Sequence, residues 1–221
     1  DDTVREILST LYYPNPSYEF SVVDPYLIGQ IYELFLEKTL VIAPDGTLQT
    51  AEKAEAVAAQ GVVNTPKALA DIIVEQTLQP LYEHRTPEET ADFRLADICC
   101  GAGNFLLSAF EYLVNFHVDY YRRTDLDGAL RRGDLHPLPG ADQYALSFAV
   151  KRSILQRNLF GVDIDPLAVE VSKFSLLLKL LENTSAQELS DYRRNTKRPI
   201  LPQLDETLKH GNALVDSAYF Q

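Results

Sequence analysis

Three short stretches hold the residues of this chain best suited to chemistry. Asp97-Ile98-Cys99-Cys100-Gly101-Ala102-Gly103-Asn104-Phe105 joins a carboxylate to two glycines one residue apart, so backbone can approach a ligand closely and free amides can point at it. Gly161-Val162-Asp163-Ile164-Asp165-Pro166 places Asp163 where a ribose diol could donate hydrogen bonds to it, while Asp165 is the better helix cap. Gly211-Asn212-Ala213-Leu214 supplies a side-chain amide able to donate to and accept from an adenine edge. Together they predict a site for an adenine nucleoside. NAD is disfavoured, because Leu106 stands where the third glycine of a dinucleotide fingerprint belongs.

Other chemistries find no support. His84, His117, His136 and His210 are far apart, with no Cys or His at metal-ligand spacing, so no metal site is expected. There is no phosphate-binding P-loop and no Gly-x-Ser-x-Gly elbow. Cys100 reads as loop packing, since nothing nearby would activate a thiol.

The elements that must position these residues follow from periodicity. Arg94 to Cys99 reads as a buried strand, Asn104 to Tyr121 as a helix carrying Phe105, Leu106, Ala109, Phe110, Leu113 and Phe116, and Asn158 to Asp163 as a second strand. Pro166 opens a helix to about Glu182, and Leu208 to Leu214 contains a third strand. Strands alternating with helices predict a parallel, doubly wound sheet with right-handed crossovers, whose ligand sits beyond the strands' carboxyl ends. Upstream, Thr65 caps a helix starting at Pro66 that carries Leu69, Ile72, Ile73, Val74, Thr77 and Leu81. Asp125 to Ala141, with three glycines and two prolines, reads as an exposed insertion before a helix over Gln143 to Gln156.

Residues 1–61 form a separate lead-in. Thr3 to Tyr13 is weakly amphipathic, and Asp24-Pro25 starts a helix over Pro25 to Leu40 with Leu27, Ile28, Ile31, Leu34 and Phe35 at helical spacing. Pro44-Asp45-Gly46 closes a hairpin between Leu40–Ala43 and Thr47–Thr50. Ala51 to Gly61 reads as a helical turn or linker, and residues 62–221 form the main domain.

The 221 residues are 46% hydrophobic and 24% charged, ordinary globular material. Sixteen acids oppose six bases over residues 1–94, and sixteen oppose fourteen thereafter. A DNA-binding surface built from this chain alone is therefore not expected, because Lys and Arg supply much of the affinity for phosphate. The absence of a leader, of any ~20-residue apolar run and of paired cysteines fits a cytoplasmic protein with no membrane span. Asp1 as first residue and the lack of Met point to a piece of a longer chain.

The residues resemble the adenine-specific (N6) DNA methyltransferases of restriction-modification and phage-defence systems, especially the large fused or multi-domain kinds. Asp97 to Phe105 resembles that family's Asp-Pro-Ala-Cys-Gly-Ser-Gly-x-Phe loop, with Ile98, Cys99 and Ala102 in place of Pro, Ala and Ser. Gly161 to Pro166 and Gly211 to Leu214 are similar to its second and third strand-end motifs, and Val62-Val63-Asn64-Thr65-Pro66 to its aromatic-Thr-Pro segment. Tyr18 to Val23 and Gly29-Gln30-Ile31-Tyr32-Glu33 extend the likeness towards the start.

The resemblance implies a partial Rossmann-like methyltransferase sheet and S-adenosylmethionine as cofactor. Asp97 with Cys99, Gly101, Gly103, Asn104 and Phe105 would hold the methionine end, helped by Thr65. Asp163 would take the ribose hydroxyls, Ile164 would pack on the adenine, and Asn212, with Ala213 beside it, would meet the exocyclic amine. The family's catalytic Asn/Asp-Pro-Pro-aromatic loop is absent, since the sequence has no Pro-Pro and Asn15-Pro16-Ser17-Tyr18 imitates it only faintly. Alone, this chain is expected to be inactive, with double-stranded DNA contacted by other parts of a parent protein and with specificity or restriction subunits as partners. Two other readings share these residues: an assembly module of a defence complex without catalysis, and a methyltransferase acting on RNA or protein.

Overall fold

A computed structural model describes residues 23–52, 65–140 and 142–215, together with Arg5, Glu6 and Ser9. Expectations for Thr3 to Tyr13, Asn15 to Tyr18, Val62 to Asn64 and the boundary at Gly61 fall wholly or largely outside these residues. In chain order the elements are α1 (Pro25–Glu37), β1 (Lys38–Ile42), β2 (Leu48–Glu52), α2 (Lys67–Tyr82), α3 (Pro87–Thr90), β3 (Leu95–Asp97) and α4 (Asn104–Thr124). They continue with α5 (Leu126–Arg132), β4 (Leu135–Pro137), β5 (Tyr144–Leu146), α6 (Phe148–Arg157), β6 (Leu159–Asp163), α7 (Pro166–Leu181), α8 (Ala186–Thr196) and β7 (Leu208–His210).

The site is carried by a parallel sheet of β3, β6 and β7, in that order. Asp97 pairs with Gly161 and Asp163 with His210, so the carboxyl ends of the three strands lie side by side. Both crossovers step the same way across the sheet, and their helices α4, α6 and α7 pack on one another. The core lies between that layer and the sheet: Leu106, Phe110 and Leu113 of α4, Leu155 of α6, Val169 and Leu176 of α7, Leu159 of β6 and Leu208 of β7 are all buried. Each such side chain contributes about 1.5–3 kcal/mol of apolar burial.

Local signals act where they were expected. Asp24 Oδ1 accepts the Tyr26 amide at 3.0 Å at the start of α1, and Asp165 Oδ1 accepts the Leu167 amide at 2.8 Å at the start of α7. In the β1–β2 turn Asp45 accepts both the amide and the hydroxyl of Thr47.

Several expectations are corrected. Asp125 to Ala141 is no loose insertion: Asp125 caps α5, whose Gly128 and Ala129 are buried, and β4 pairs with β5 as a second hairpin. Leu135 and Leu146 anchor that hairpin in the core, and α6 begins at Phe148 rather than Gln143. The strand at β3 is only partly buried, since it lies at the edge of the described sheet. Helix α2 starts at Lys67 with Pro66 at the cap position and no side-chain cap, so Thr65 does not cap it. Its buried stripe is Ala70, Val74, Leu78 and Tyr82, whereas Leu69, Ile72, Ile73 and Leu81 are exposed. In α1 the inward face is likewise Tyr26, Gly29 and Tyr32, with Leu27 and Ile31 outside.

Candidate functional site

Three turns meet beyond the strand ends. After β3 the chain reverses through Gly101 and Gly103, whose φ angles of +52° and +90° favour glycine, before α4 begins at Asn104. At Gly103 close packing adds to this demand: a Cβ there would lie 2.3 Å from the Ser172 hydroxyl of α7. At Gly101 a Cβ would meet nothing within 4 Å, so that part of the turn faces open space.

Asp163 ties the first turn to the second. Its Oδ2 accepts the Gly101 amide at 2.7 Å and its Oδ1 accepts the Asp165 amide at 2.9 Å. A carboxylate has about four lone-pair sites, so two remain for an incoming hydroxyl pair. Asp165 in turn accepts a hydrogen bond from the Tyr32 hydroxyl at 2.6 Å. Ile164, between the two carboxylates, is 68% exposed, and Ile98 of the first turn is 58% exposed.

Asp97 is the unusual group. Its Oδ1 accepts the Cys99 amide at 3.1 Å, whereas Oδ2 is buried without a hydrogen-bond partner. Burial pushes its carboxyl above the ordinary range, and the nearby Asp163 charge pushes the same way. A cationic donor reaching Oδ2 would relieve both effects. Next to it, Cys99 is exposed while Cys100 is buried, its thiol pushed up to about 12 chiefly by burial. Cys100 packs near Gly161, where a Cβ would come within 3.2 Å of its Sγ, which fits a packing role.

The remaining predicted residues take these places. The Asn104 side chain donates to the Thr65 carbonyl at 3.1 Å, bringing the segment before α2 to the glycine turn. Phe105 packs against the core at the start of α4. The third turn is held by the Gly211 amide on the Asp163 carbonyl, at 2.9 Å, and by His210 Nε2 on the Ile164 carbonyl, at 3.1 Å. Asn212 and Ala213 are exposed there, with Asn212 Oδ1 accepting the Leu214 amide at 2.9 Å. Hydrogen bonds thus join Asn104 to Thr65 and Gly101 to Asp163, Asp97 lies beside Gly161 on the neighbouring strand, and Asn212 belongs to the turn held on the Asp163 carbonyl through Gly211. Tyr32, quoted only as part of the family likeness, was not assigned to the site because its bond to Asp165 spans 133 residues; the glycine inside α1 was the signal available.

A cavity of about 750 Å³ lies elsewhere, between α2 and α4, and none of the predicted site residues lines it. Asp71, Glu75, Glu83, Glu111 and Asp119 give it an acidic wall. No described helix is long and apolar enough to cross a membrane.

Comparison with known proteins places the chain. It is 34% identical over 97% of its length to the type II restriction enzyme and methyltransferase RM.Eco57I of Escherichia coli. It is 29% identical over 58% to the putative type II restriction enzyme and methyltransferase RM.MjaORFECS2P of Methanocaldococcus jannaschii, and 26% identical over 68% to the adenine-specific methyltransferase PglX of Streptomyces coelicolor. The aligned parts are 20%, 9% and 10% of those proteins, so the chain corresponds to a fifth or less of each. The family model described as MmeI, DNA-methyltransferase domain, matches residues 76–217, which include the three strand-end turns and all three parallel strands. The chain therefore belongs to the MmeI DNA-methyltransferase domain family.

Proposed function

We propose that this chain is the cofactor-binding part of a restriction-modification DNA methyltransferase that methylates the N6 amine of adenine in double-stranded DNA. The reading divides it into a lead-in over residues 1–61 and the S-adenosylmethionine-binding half of the methyltransferase domain over 62–221. The observation that carries it is the Asp163–Gly101 hydrogen bond, which brings a carboxylate and the Gly101–Gly103 turn together beside the buried Asp97 Oδ2 at adjoining parallel strand ends. The relatives, two of them restriction enzymes and methyltransferases and one an adenine-specific methyltransferase, support the substrate.

The residues fit S-adenosylmethionine by their donor and acceptor chemistry. The orphaned Asp97 Oδ2 suits an ammonium, and the open side of Gly101 leaves room for a chain beside it, assigning the methionine end to Asp97, Cys99, Gly101, Gly103, Asn104 and Phe105. Thr65 borders that end through Asn104. Asp163 takes the ribose hydroxyls on its two remaining acceptor sites, exposed Ile164 covers an adenine face, and Asn212 with Ala213 meets the adenine edge. When bound, the cofactor supplies an electrophilic methyl on a sulfonium. This chain's part is to bind and orient it.

Recognition of the flipped base belongs, in this reading, to an Asn/Asp-Pro-Pro-aromatic loop outside this sequence. DNA contacts fall to other parts too, because residues 1–94 hold sixteen acids against six bases. A specificity or restriction subunit is the partner class. Calorimetric titration with S-adenosylmethionine, S-adenosylhomocysteine and NAD, run on the wild type and Asp163→Ala, tests the reading. Saturable binding of the first two, lost in the variant, is expected; tighter binding of NAD would overturn it.

A further inference from the structure

One face of α1 touches three parts of the scaffold around the strand-end site. The Tyr26 hydroxyl lies 3.1 Å from Ser108 Oγ of α4, Gly29 lies against Ala102 of the glycine turn, and the Tyr32 hydroxyl donates to Asp165 Oδ2. These residues are three apart, as a single helical face requires, and all three are buried. A glycine inside a helix costs about 1 kcal/mol relative to alanine, so its presence in α1 calls for a reason in packing. The reason is visible: a Cβ at Gly29 would lie 3.1 Å from Ala102 Cβ, tighter than helix and turn accept without moving, and in contact with Asn104 Oδ1 at 3.4 Å.

The second contact reaches the other turn. Asp165 holds Tyr32 with one oxygen and the Leu167 amide with the other, while its own amide is fixed by Asp163. Asp163 closes the circuit by accepting the Gly101 amide. Helix α1, which leads into the β1–β2 hairpin, therefore lies across both turns proposed to grip the ligand without presenting any of these side chains to it.

We infer that Gly29 and Tyr32 are positioning residues for the cofactor: Gly29 sets the Gly101–Asn104 turn, and Tyr32, acting through Asp165, sets the Asp163–Pro166 turn. The inference rests on the proposed function, because it assumes that these turns hold S-adenosylmethionine. It makes the segment before the sheet a part of the binding site rather than an appendage.

The test uses the full chain as wild type, Tyr32→Phe and Gly29→Ala, measured by calorimetry with S-adenosylhomocysteine and by amide hydrogen exchange without ligand. Tyr32→Phe keeps the buried ring and removes only the hydroxyl. It should weaken S-adenosylhomocysteine roughly fivefold to tenfold, because the Asp163–Pro166 turn is then less firmly set before the ligand arrives, and speed exchange at the Asp165 and Gly101 amides. Gly29→Ala should weaken binding and speed exchange at the Gly101 amide, while alanine's helix preference of about 1 kcal/mol offsets the strain of its Cβ and keeps the melting temperature close to that of the wild type, a combination that a merely structural role would not produce. Equal affinity in all three proteins would overturn the inference. A wild type that binds no S-adenosylhomocysteine would overturn the functional reading instead, and unchanged exchange at Gly101 and Asp165 in Tyr32→Phe would then overturn the bracing role independently.

Discussion

The Asp163 carboxylate accepts the Gly101 amide at 2.7 Å across 62 residues of sequence, binding the end of β6 to the turn that follows β3. Two turns that could drift independently are thereby set at a fixed distance. Asp163→Asn tests this bond, because an amide places an N–H donor against one of two backbone N–H groups. A stability loss of about 1–3 kcal/mol is expected from the unsatisfied donor. Affinity for S-adenosylhomocysteine should fall at least about tenfold with it. Denaturant melts and calorimetry read both, and an Asn variant as stable as wild type would show that the bond matters little.

Asp97 makes stability and binding oppose each other. Its carboxyl is held above the ordinary range, first by burial and also by Asp163, so the folded chain binds this proton more tightly than the unfolded chain does. That contribution is fully present below about pH 4 and is lost as pH rises through the raised value. Asp97→Asn should melt higher than wild type at pH 7 and near it at pH 4, yet bind S-adenosylhomocysteine more weakly. Parallel melting curves against pH would contradict the assignment.

His117 runs the other way. Burial lowers its affinity for a proton, and its Nδ1 must carry the hydrogen it donates to the Leu113 carbonyl at 2.8 Å. Stability from this neutral imidazole is present above about pH 6.5 and is lost as pH falls through the depressed folded value. His117→Gln should therefore show a flatter melting profile between about pH 5 and 7; a slope equal to wild type would count against it.

Gly161 is held by packing. A Cβ there would lie 2.7 Å from Leu208 Cδ2, 2.8 Å from Leu106 Cδ1 and 3.2 Å from Cys100 Sγ. Gly161→Ala should destabilise by about 1–3 kcal/mol through overpacking. Adding Leu208→Ala should recover part of that loss relative to the sum of the two single changes, the signature of contact in a double-mutant cycle.

How much of this was legible depended on range. Asp24-Pro25, Asp165-Pro166 and Pro44-Asp45-Gly46 act within a few residues, and each shaped the chain as its local chemistry predicts. The outward Leu69, Ile72 and Ile73 of α2 could not be told from its buried Ala70 and Val74, because the face is chosen by the helix it meets, α4. Asp125 to Ala141 misled for a similar reason: its glycines look like loop, but Gly128 is a small residue buried in a capped helix. At the site, positions in the strand-end motifs were readable one by one. Their links, Gly101 to Asp163 and Tyr32 to Asp165, were not, since each joins residues that only folding brings together.

The two neighbouring cysteines have opposite access to solvent, and that asymmetry gives this surface a built-in reporter. Alkylating reagents need a thiolate they can reach; Cys100 is buried with its thiol pushed up to about 12, while Cys99 is exposed two residues from Asp97. A dye or spin label added to the native chain should therefore attach at one place, at the mouth of the first turn, with no cysteine removed beforehand. Occupancy of the neighbouring site could then be followed as a change in that label's signal or as protection of Cys99 from the reagent.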